Sequence, residues 1–217
     1  LPELEKVKGV FRPIFDVYDS MNTLMSLGLD VFWRIKLLKL MPGDGVILDI
    51  GTGTGKLFSL YEGKSKIIGL DITKEMLIKN PNKGNLLLGS GTQLPFKENK
   101  FDGIMSAFVL RNLPDTSVYF NEAYRVLKNG GIIANLDAFP ENRWYFKPWF
   151  SLYFYDFMPR IGNFISGTNS YTYLADSVKN FKLPDIIKTE MIKAGFKNIN
   201  IIKFKSPSAH LIYGFKI

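Results

Sequence analysis

Residues 46–57, Val-Ile-Leu-Asp-Ile-Gly-Thr-Gly-Thr-Gly-Lys-Leu, decide how this chain folds. Val46 to Ile50 is a short apolar run suited to a buried parallel strand, and Gly51, Gly53 and Gly55 open a tight turn behind it. The helix-compatible segment Lys56 to Tyr61 follows. A strand that feeds a glycine turn and then a helix makes a nucleotide site, because glycine alone lets ligand atoms come so close to the backbone. Asp71 ends the next apolar run, Ile67-Ile68-Gly69-Leu70, about 20 residues further on. A carboxylate there can accept both ribose hydroxyls of a nucleoside.

Spacing separates the ligands that compete for such a loop. The dinucleotide fingerprint needs a glycine at the end of G-x-G-x-x-G, and counted from Gly51 that place holds Lys56. The phosphate-binding loop of ATP and GTP enzymes needs glycine at Ile50 and Ser or Thr at Leu57, so it fails twice. What remains is Asp49-x-Gly51-x-Gly53-x-Gly55, which resembles the first motif of class I S-adenosylmethionine methyltransferases. The bland alternative is a glycine turn with no ligand, and the placing of Asp71 counts against it.

The 217 residues suit one α/β domain with a substantial core. There is no cysteine, which excludes disulfides, thiolate nucleophiles and cysteine-ligated metals. A single histidine, His210, argues against a histidine-built metal site and leaves little room for a Ser-His-Asp hydrolase. Net charge is +8, which suits RNA, anionic headgroups or an anionic substrate. Yet Lys64, Lys66, Lys74, Lys79 and Lys83 are scattered, so a solvated lysine-rich surface is the better reading. No stretch approaches the ~18–20 apolar residues of a spanning helix. Leu1 to Gly9 lacks an apolar signal core, and a cytoplasmic protein with peripheral membrane contact is expected.

Residues 14–40 read as helical, interrupted near Gly28, with Phe15, Tyr18, Met21, Leu24 and Met25 at helical spacing. Strands are expected near 45–50, 66–70, 85–88, 102–107 and 131–137, and helices near 54–61, 73–80 and 116–128. The last of these should stop at Asn129-Gly130-Gly131. Strands alternating with helices argue a parallel sheet covered on both faces. Residues 143–158 are dense in aromatics, among them Trp144, Tyr145, Phe146, Trp149, Phe150 and Phe154. A helix at 184–194 precedes two alternating strands, 196–204 and 208–216, joined at Ser206-Pro207 and expected to pair antiparallel. Seven strands in one mostly parallel sheet result, within a single domain spanning 1–217.

In open α/β sheets ligands sit beyond the carboxyl ends of the strands. The third strand leads to Gly89-Ser90-Gly91-Thr92, placed to border an adenine. The fourth ends in Ser106-Ala107-Phe108-Val109-Leu110-Arg111-Asn112, and the fifth at Asp137.

Taken together the chain resembles the C-methyltransferases of ubiquinone and menaquinone biosynthesis. The likeness begins in Phe15-Asp16-Val17-Tyr18-Asp19-Ser20-Met21-Asn22, Met25-Ser26-Leu27-Gly28 and Trp33. It continues through the glycine loop, Leu94-Pro95-Phe96, Leu110-Arg111-Asn112 and Tyr124-Arg125-Val126-Leu127. It ends in Met158-Pro159-Arg160-Ile161-Gly162, Tyr171-Thr172-Tyr173-Leu174 and Ala194-Gly195-Phe196. Three places depart from the pattern. Lys56 stands where an acidic residue commonly follows the loop, and Ser90 where an amide or carboxylate often meets the adenine amine. Leu211-Ile212-Tyr213-Gly214 replaces a usual Leu-His-x-Gly, with His210 two residues before the missing histidine.

The resemblance implies a Rossmann-like class I fold, S-adenosylmethionine as cofactor and a lipophilic quinol as substrate. Cofactor contacts are expected from Asp49, Gly51, Thr52, Gly53, Gly55, Asp71, Ile72, Ser90, Gly91, Thr92 and Ser106. Arg111 stays charged, so it stabilises a phenolate or an activated water, with Asn112 orienting the ring oxygen or cofactor. Asp16, Asp19 or His210 would take the proton, and Tyr18 would pack against the ring or hydrogen-bond to it. Segments 1–40 and 143–180 are expected to cover the substrate; the alternative is that the aromatics of 143–165 fill a second core. An RNA substrate is disfavoured, because the aromatics cluster with few lysines. A domain that binds the cofactor without turnover is weaker still, and a homo-oligomer stays open.

Overall fold

The computed structural model describes residues 2–14, 16, 18–141, 147–204 and 209–217. The chain opens with helix α1 (Pro2–Phe11), a 3-10 turn (Arg12–Ile14), α2 (Tyr18–Met25) and α3 (Leu29–Leu38). The interruption expected near Gly28 is there, with Leu27 at φ 54° and Gly28 at φ 78° turning the backbone between α2 and α3. Strand and helix then alternate: β1 (Val46–Ile50), α4 (Lys56–Leu60), β2 (Lys66–Asp71), α5 (Lys74–Lys79) and β3 (Leu86–Leu88). Next come β4 (Phe101–Ala107), α6 (Thr116–Val126) and β5 (Leu127–Ala138). A second helical block follows. It runs from α7 (Lys147–Phe150) through a π-helical stretch (Ser151–Phe157) into α8 (Met158–Ser166), then α9 (Ser170–Lys179). The chain closes with α10 (Pro184–Lys193), β6 (Lys197–Lys203) and β7 (Ala209–Phe215).

All seven strands join one sheet in the order β3-β2-β1-β4-β5-β7-β6. The first five are parallel, and β7 pairs antiparallel with both β5 and β6. The α/β architecture is therefore the one expected, including the C-terminal antiparallel pair. The turn at Ser206-Pro207 lies outside the described residues, as do Phe15, Val17, Arg143, Trp144, Tyr145 and Phe146. Each sheet face buries its own cluster. One gathers Ile50, Leu70, Phe120 and Phe196 around α6 and α10; the other gathers Trp33, Leu37, Ile47 and Met105 under α3. Buried strands with apolar side chains on both faces are what a sheet covered on two sides requires.

One helix end departs from expectation. Helix α6 begins as its Asp115 dictates, the carboxylate accepting from Ser117 N and Val118 N. It ends at Val126, and β5 starts at the next residue, so Gly130 and Gly131 are strand residues rather than a helix stop. Leu127 pairs with Phe101 and is fully buried. The pairing then slips before Gly103 meets Ile132. Gly130, at φ 81°, takes up that bulge and donates to Lys216 O. Tertiary pairing has overridden the local glycine signal.

A third apolar cluster stands apart from the sheet. Phe11, Ile14, Met21 and Met25 of the N-terminal segment meet Met76, Met158, Tyr171 and Leu174 there, with Tyr153 and Phe154 packed against them. The aromatic segment is thus two-sided. Phe150 and Met158 are buried, whereas Trp149 is 73% and Phe164 is 90% exposed.

Candidate active site

The strand ends open into a crevice of about 850 Å³, counting the space open to solvent. Gly51, Thr52, Gly53 and Thr54 after β1 line it, with Asp71, Ile72 and Thr73 after β2, Gly89, Ser90 and Gly91 after β3, and Ala107, Phe108 and Val109 after β4. From the N-terminal helices come Phe11, Tyr18, Asp19 and Arg34.

Backbone conformation explains the glycines. Gly51 has φ 69°, and a Cβ there would stand 2.3 Å from Val109 Cγ2. Gly53 has φ 53°, and a Cβ on it would meet only open space, its nearest neighbour being Gly51 O at 4.0 Å. That open space is the crevice, so this glycine keeps the backbone within reach of a ligand. Gly55 (φ 86°) does not line the cavity; a Cβ there would strike Asn80. Its role is to let α4 start against that side chain, whose Nδ2 donates to Gly53 O at 3.1 Å.

Asp71 is the anchor of the loop. Its Oδ2 accepts from Gly53 N and its Oδ1 from Thr73 N, both at 2.8 Å. The Ile72 N–H and the Thr73 hydroxyl also face this carboxylate, which lines the cavity. Burial nevertheless pushes its pKa up, opposed by those backbone donors. Asp49, expected as a cofactor contact, lies beneath the loop and does not line the cavity. It is fully buried and accepts from Thr52 Oγ1 at 2.7 Å, and burial pushes its carboxyl up to about 7.

Two more expected cofactor contacts sit elsewhere. Ser106 is fully buried, donating to Asn135 Oδ1 at 2.8 Å, and its neighbour Ala107 takes the place in the cavity wall. Successive strand residues face opposite sides, so Ser106 points away from the face that Ala107 presents to the cavity. Thr92 stays off the cavity as well; its Oγ1 lies 2.8 Å from Ser90 Oγ and steadies that side chain.

The expected catalytic residues divide. Tyr18, Asp19 and Asn112 line the crevice. Asp19 Oδ2 accepts from Thr54 Oγ1 at 2.6 Å, and Asn112 Nδ2 donates to Phe108 O at 3.2 Å while its Oδ1 is buried without a partner. Burial raises the Tyr18 phenol above its ordinary pKa, against the pull of Arg111, Asn22 and Arg34, so it stays a neutral phenol. Asp16 does not reach the crevice: it is exposed and paired with Lys79. His210 lines neither this crevice nor the cavity that Arg111 faces; it lies opposite Asp137 in the sheet, its ring edge-on to Phe139 at 5.0 Å. The antiparallel β5–β7 pairing puts it beside Asp137 at the carboxyl end of β5.

Arg111 faces a second cavity of about 520 Å³, lined also by Met25, Trp33, Phe154, Leu174 and Val178. Its Nη1 lies 2.5 Å from Asp137 Oδ1 and its Nε donates to Ser177 Oγ at 3.2 Å. Phe108 lines both cavities, held at φ 64° with its N–H on Leu136 O. The guanidiniums of Arg34 and Arg111 approach its ring to 5.1 and 5.6 Å. Sequence reasoning missed Arg34, Thr54 and Phe108 as wall residues. The strand-end rule reached Phe108 without weighing it; nothing local marks Arg34, which α3 delivers from before the loop.

Among the described residues no group of His, Asp or Glu could hold a metal ion. The sequence matches the ubiE/COQ5 methyltransferase family over residues 2–216. The ubiquinone/menaquinone biosynthesis C-methyltransferase UbiE of Geobacter sp. (strain M21) is 31% identical over 98% of this chain and 97% of its own length. The demethylmenaquinone methyltransferase of Staphylococcus carnosus is 33% identical over 99% of this chain and 94% of its own. Among solved structures, a methyltransferase of Thermotoga maritima described as a possible histamine N-methyltransferase superposes with a TM-score of 0.68. It covers 96% of this chain and 100% of that one at 17% identity, which speaks for the fold alone. With the match running from residue 2 to residue 216, the chain belongs to the ubiE/COQ5 methyltransferase family, and S-adenosylmethionine is its methyl donor.

Proposed function

We propose that this methyltransferase places a methyl group on a ring carbon of a prenylated quinol. The observation that carries the reading is the shared wall at Phe108: a crevice fit for a nucleoside stands on one side, and on the other a mostly apolar cavity whose polar lining is Arg111, Asp30, Asn22 and Ser26. The names of the Geobacter and Staphylococcus relatives support the same substrate class.

The crevice fits the cofactor. Gly53 leaves the space a ligand needs, Asp71 presents a carboxylate to the crevice for ribose hydroxyls, and Ser90 and Gly91 border an adenine. When bound, S-adenosylmethionine supplies an electrophilic methyl on a sulfonium sulfur. The chain's own residues prepare the acceptor. A phenolate pushes electron density onto its ring carbons, and the charge of Arg111, held toward the second cavity by Asp137, favours that ionised form. Of Asp16, Asp19 and His210, only Asp19 lines the crevice, so it takes the phenolic proton, directly or through water. Tyr18 packs as a phenol, and Asn112 Oδ1, with no partner of its own, orients a donor on the ligand. Met25, Trp33 and Phe154 exclude water from the reacting carbon.

The N-terminal helices meet the π-helical stretch, α8 and α9 in the third apolar cluster and with them form the cover over this site. Hydrogen exchange across 147–166 should slow when cofactor product and quinol are added together. The outward side of α7 and α8, with Trp149, Leu152 and Phe164 exposed beside Lys147 and Arg160, makes the peripheral membrane contact that a greasy substrate calls for. No described helix is long and apolar enough to cross a membrane.

Incubation with methyl-labelled S-adenosylmethionine and demethylmenaquinol tests the reaction. Label on a ring carbon is the expected result; label on oxygen or nitrogen, or none at all, would rule the reading out.

A further inference from the structure

Lys56, Arg34 and Asp30 meet between the two cavities, the first two lining the crevice and Asp30 the second cavity. Lys56, the first residue of α4, puts its Nζ 3.3 Å from Asp30 Oδ2 and 3.0 Å from Thr23 Oγ1. Arg34 Nε stands 3.5 Å from the same Asp30 oxygen. Asp30 is 1% exposed, and its other oxygen is held by Ser26 Oγ at 3.3 Å. Two cations share one carboxylate, and the buried Arg34 Nε makes no hydrogen bond. A buried cation with an incomplete set of anionic partners is costly. Such a place suits an arriving anion.

Sheet order gives the crevice a direction. Ser90 and Gly91 follow β3, Asp71 follows β2, the glycine loop follows β1 and Phe108 follows β4, and the strands lie side by side in that order. A nucleoside on Asp71 and Ser90 therefore directs the remainder of its molecule toward β1 and β4. Lys56 and Arg34 line the crevice on that side, Arg34 lying against Phe108. The remainder of S-adenosylmethionine is an amino acid, whose carboxylate is the one anion the cofactor carries.

We propose that Lys56 and Arg34 grip the α-carboxylate of the cofactor, with Asp30 holding the two cations in register. The assignment rests on the cofactor and not on the quinol, because neither test ligand contains a ring substrate. S-adenosylhomocysteine keeps the amino-acid end and 5′-methylthioadenosine lacks it, so calorimetry on the full chain separates recognition from folding. For Lys56→Gln, affinity for S-adenosylhomocysteine should fall about tenfold while that for 5′-methylthioadenosine stays within about twofold. Lys56→Arg should restore the first. Asp30→Asn removes the internal anion and should shift the ratio of the two affinities the opposite way. Equal losses for both ligands in Lys56→Gln would mean that the lysine only shapes the loop, and unchanged affinities would mean that it touches nothing; either overturns the proposal. Failure of the parent to bind either ligand would instead overturn the cofactor site itself.

Discussion

Arg111 Nη1 lies 2.5 Å from Asp137 Oδ1, and the two side chains are 6% and 0% exposed. The pair ties the 3-10 turn after β4 to the end of β5 and leaves part of the guanidinium facing the apolar cavity. Removing one partner strands the other in a dry place. Arg111→Ala should therefore cost ~3–5 kcal/mol of stability in addition to its loss of turnover. The double variant Arg111→Met with Asp137→Asn should recover most of that stability and none of the methyl transfer. Urea denaturation beside a labelled-methyl assay separates the two effects, and recovery of activity in the double variant would remove Arg111 from the chemistry.

Asp71 holds two backbone N–H groups as well as facing the crevice. Asp71→Ala should weaken S-adenosylhomocysteine binding roughly 10–100-fold, the loss expected for charge-assisted hydrogen bonds. Asn cannot rescue it, because its NH2 would face either Gly53 N–H or Thr73 N–H, donor against donor. Calorimetry on both variants decides the point; wild-type affinity in Asp71→Asn would contradict it.

Asp49 makes stability depend on pH. Its folded pKa is about 7, raised by burial; in the unfolded chain it is about 3.9. Between these values the folded protein binds a proton that the unfolded chain has already released. Stability contributed by this group is therefore full below about pH 4 and is lost as pH rises toward about 7. The span amounts to at most about 4 kcal/mol. Asp49→Asn, still able to accept from Thr52, should gain on the parent progressively over that interval. Denaturation midpoints from about pH 4 to about pH 8 measure it, and a pH-independent difference would show that Asp49 is not the titrating group.

The exposed apolar side of α7 and α8 carries its own expectation. The protein should co-float with anionic vesicles, and Trp149→Ser with Phe164→Ser should cut binding more than tenfold, since burying one large apolar side chain is worth ~1.5–3 kcal/mol. Both side chains are largely exposed, so the folded state and S-adenosylhomocysteine affinity should survive the change. Flotation that is indifferent to the double substitution would place the membrane contact elsewhere or nowhere.

Strand and helix order, the break at Gly28, the glycine loop and Asp71 were legible in the chain because each rests on short-range rules: apolar periodicity, glycine turns and the spacing from strand to carboxylate. Gly130-Gly131 does not stop a helix, because pairing of Leu127 with Phe101 and of Gly130 with Lys216 overrides that local signal. At the site, what could be read was which loops converge. Which side chains face the crevice was not, since a one-residue step along a strand exchanges Ser106 for Ala107. His210 and Asp16 have suitable chemistry, yet neither lines the crevice: His210 sits opposite Asp137 in the β5–β7 pairing and Asp16 in an exposed turn before α2. Arg34, Lys56 and Asp30 meet only because α3 packs on α4, and Phe108 divides two cavities only because β4 lies between β1 and β5. The sequence by itself determined the fold, the cofactor loop and the family likeness, through interactions between residues near one another in the chain. The walls of the site, its charges and its second cavity were decided by tertiary packing, because they are built from residues that only folding brings together.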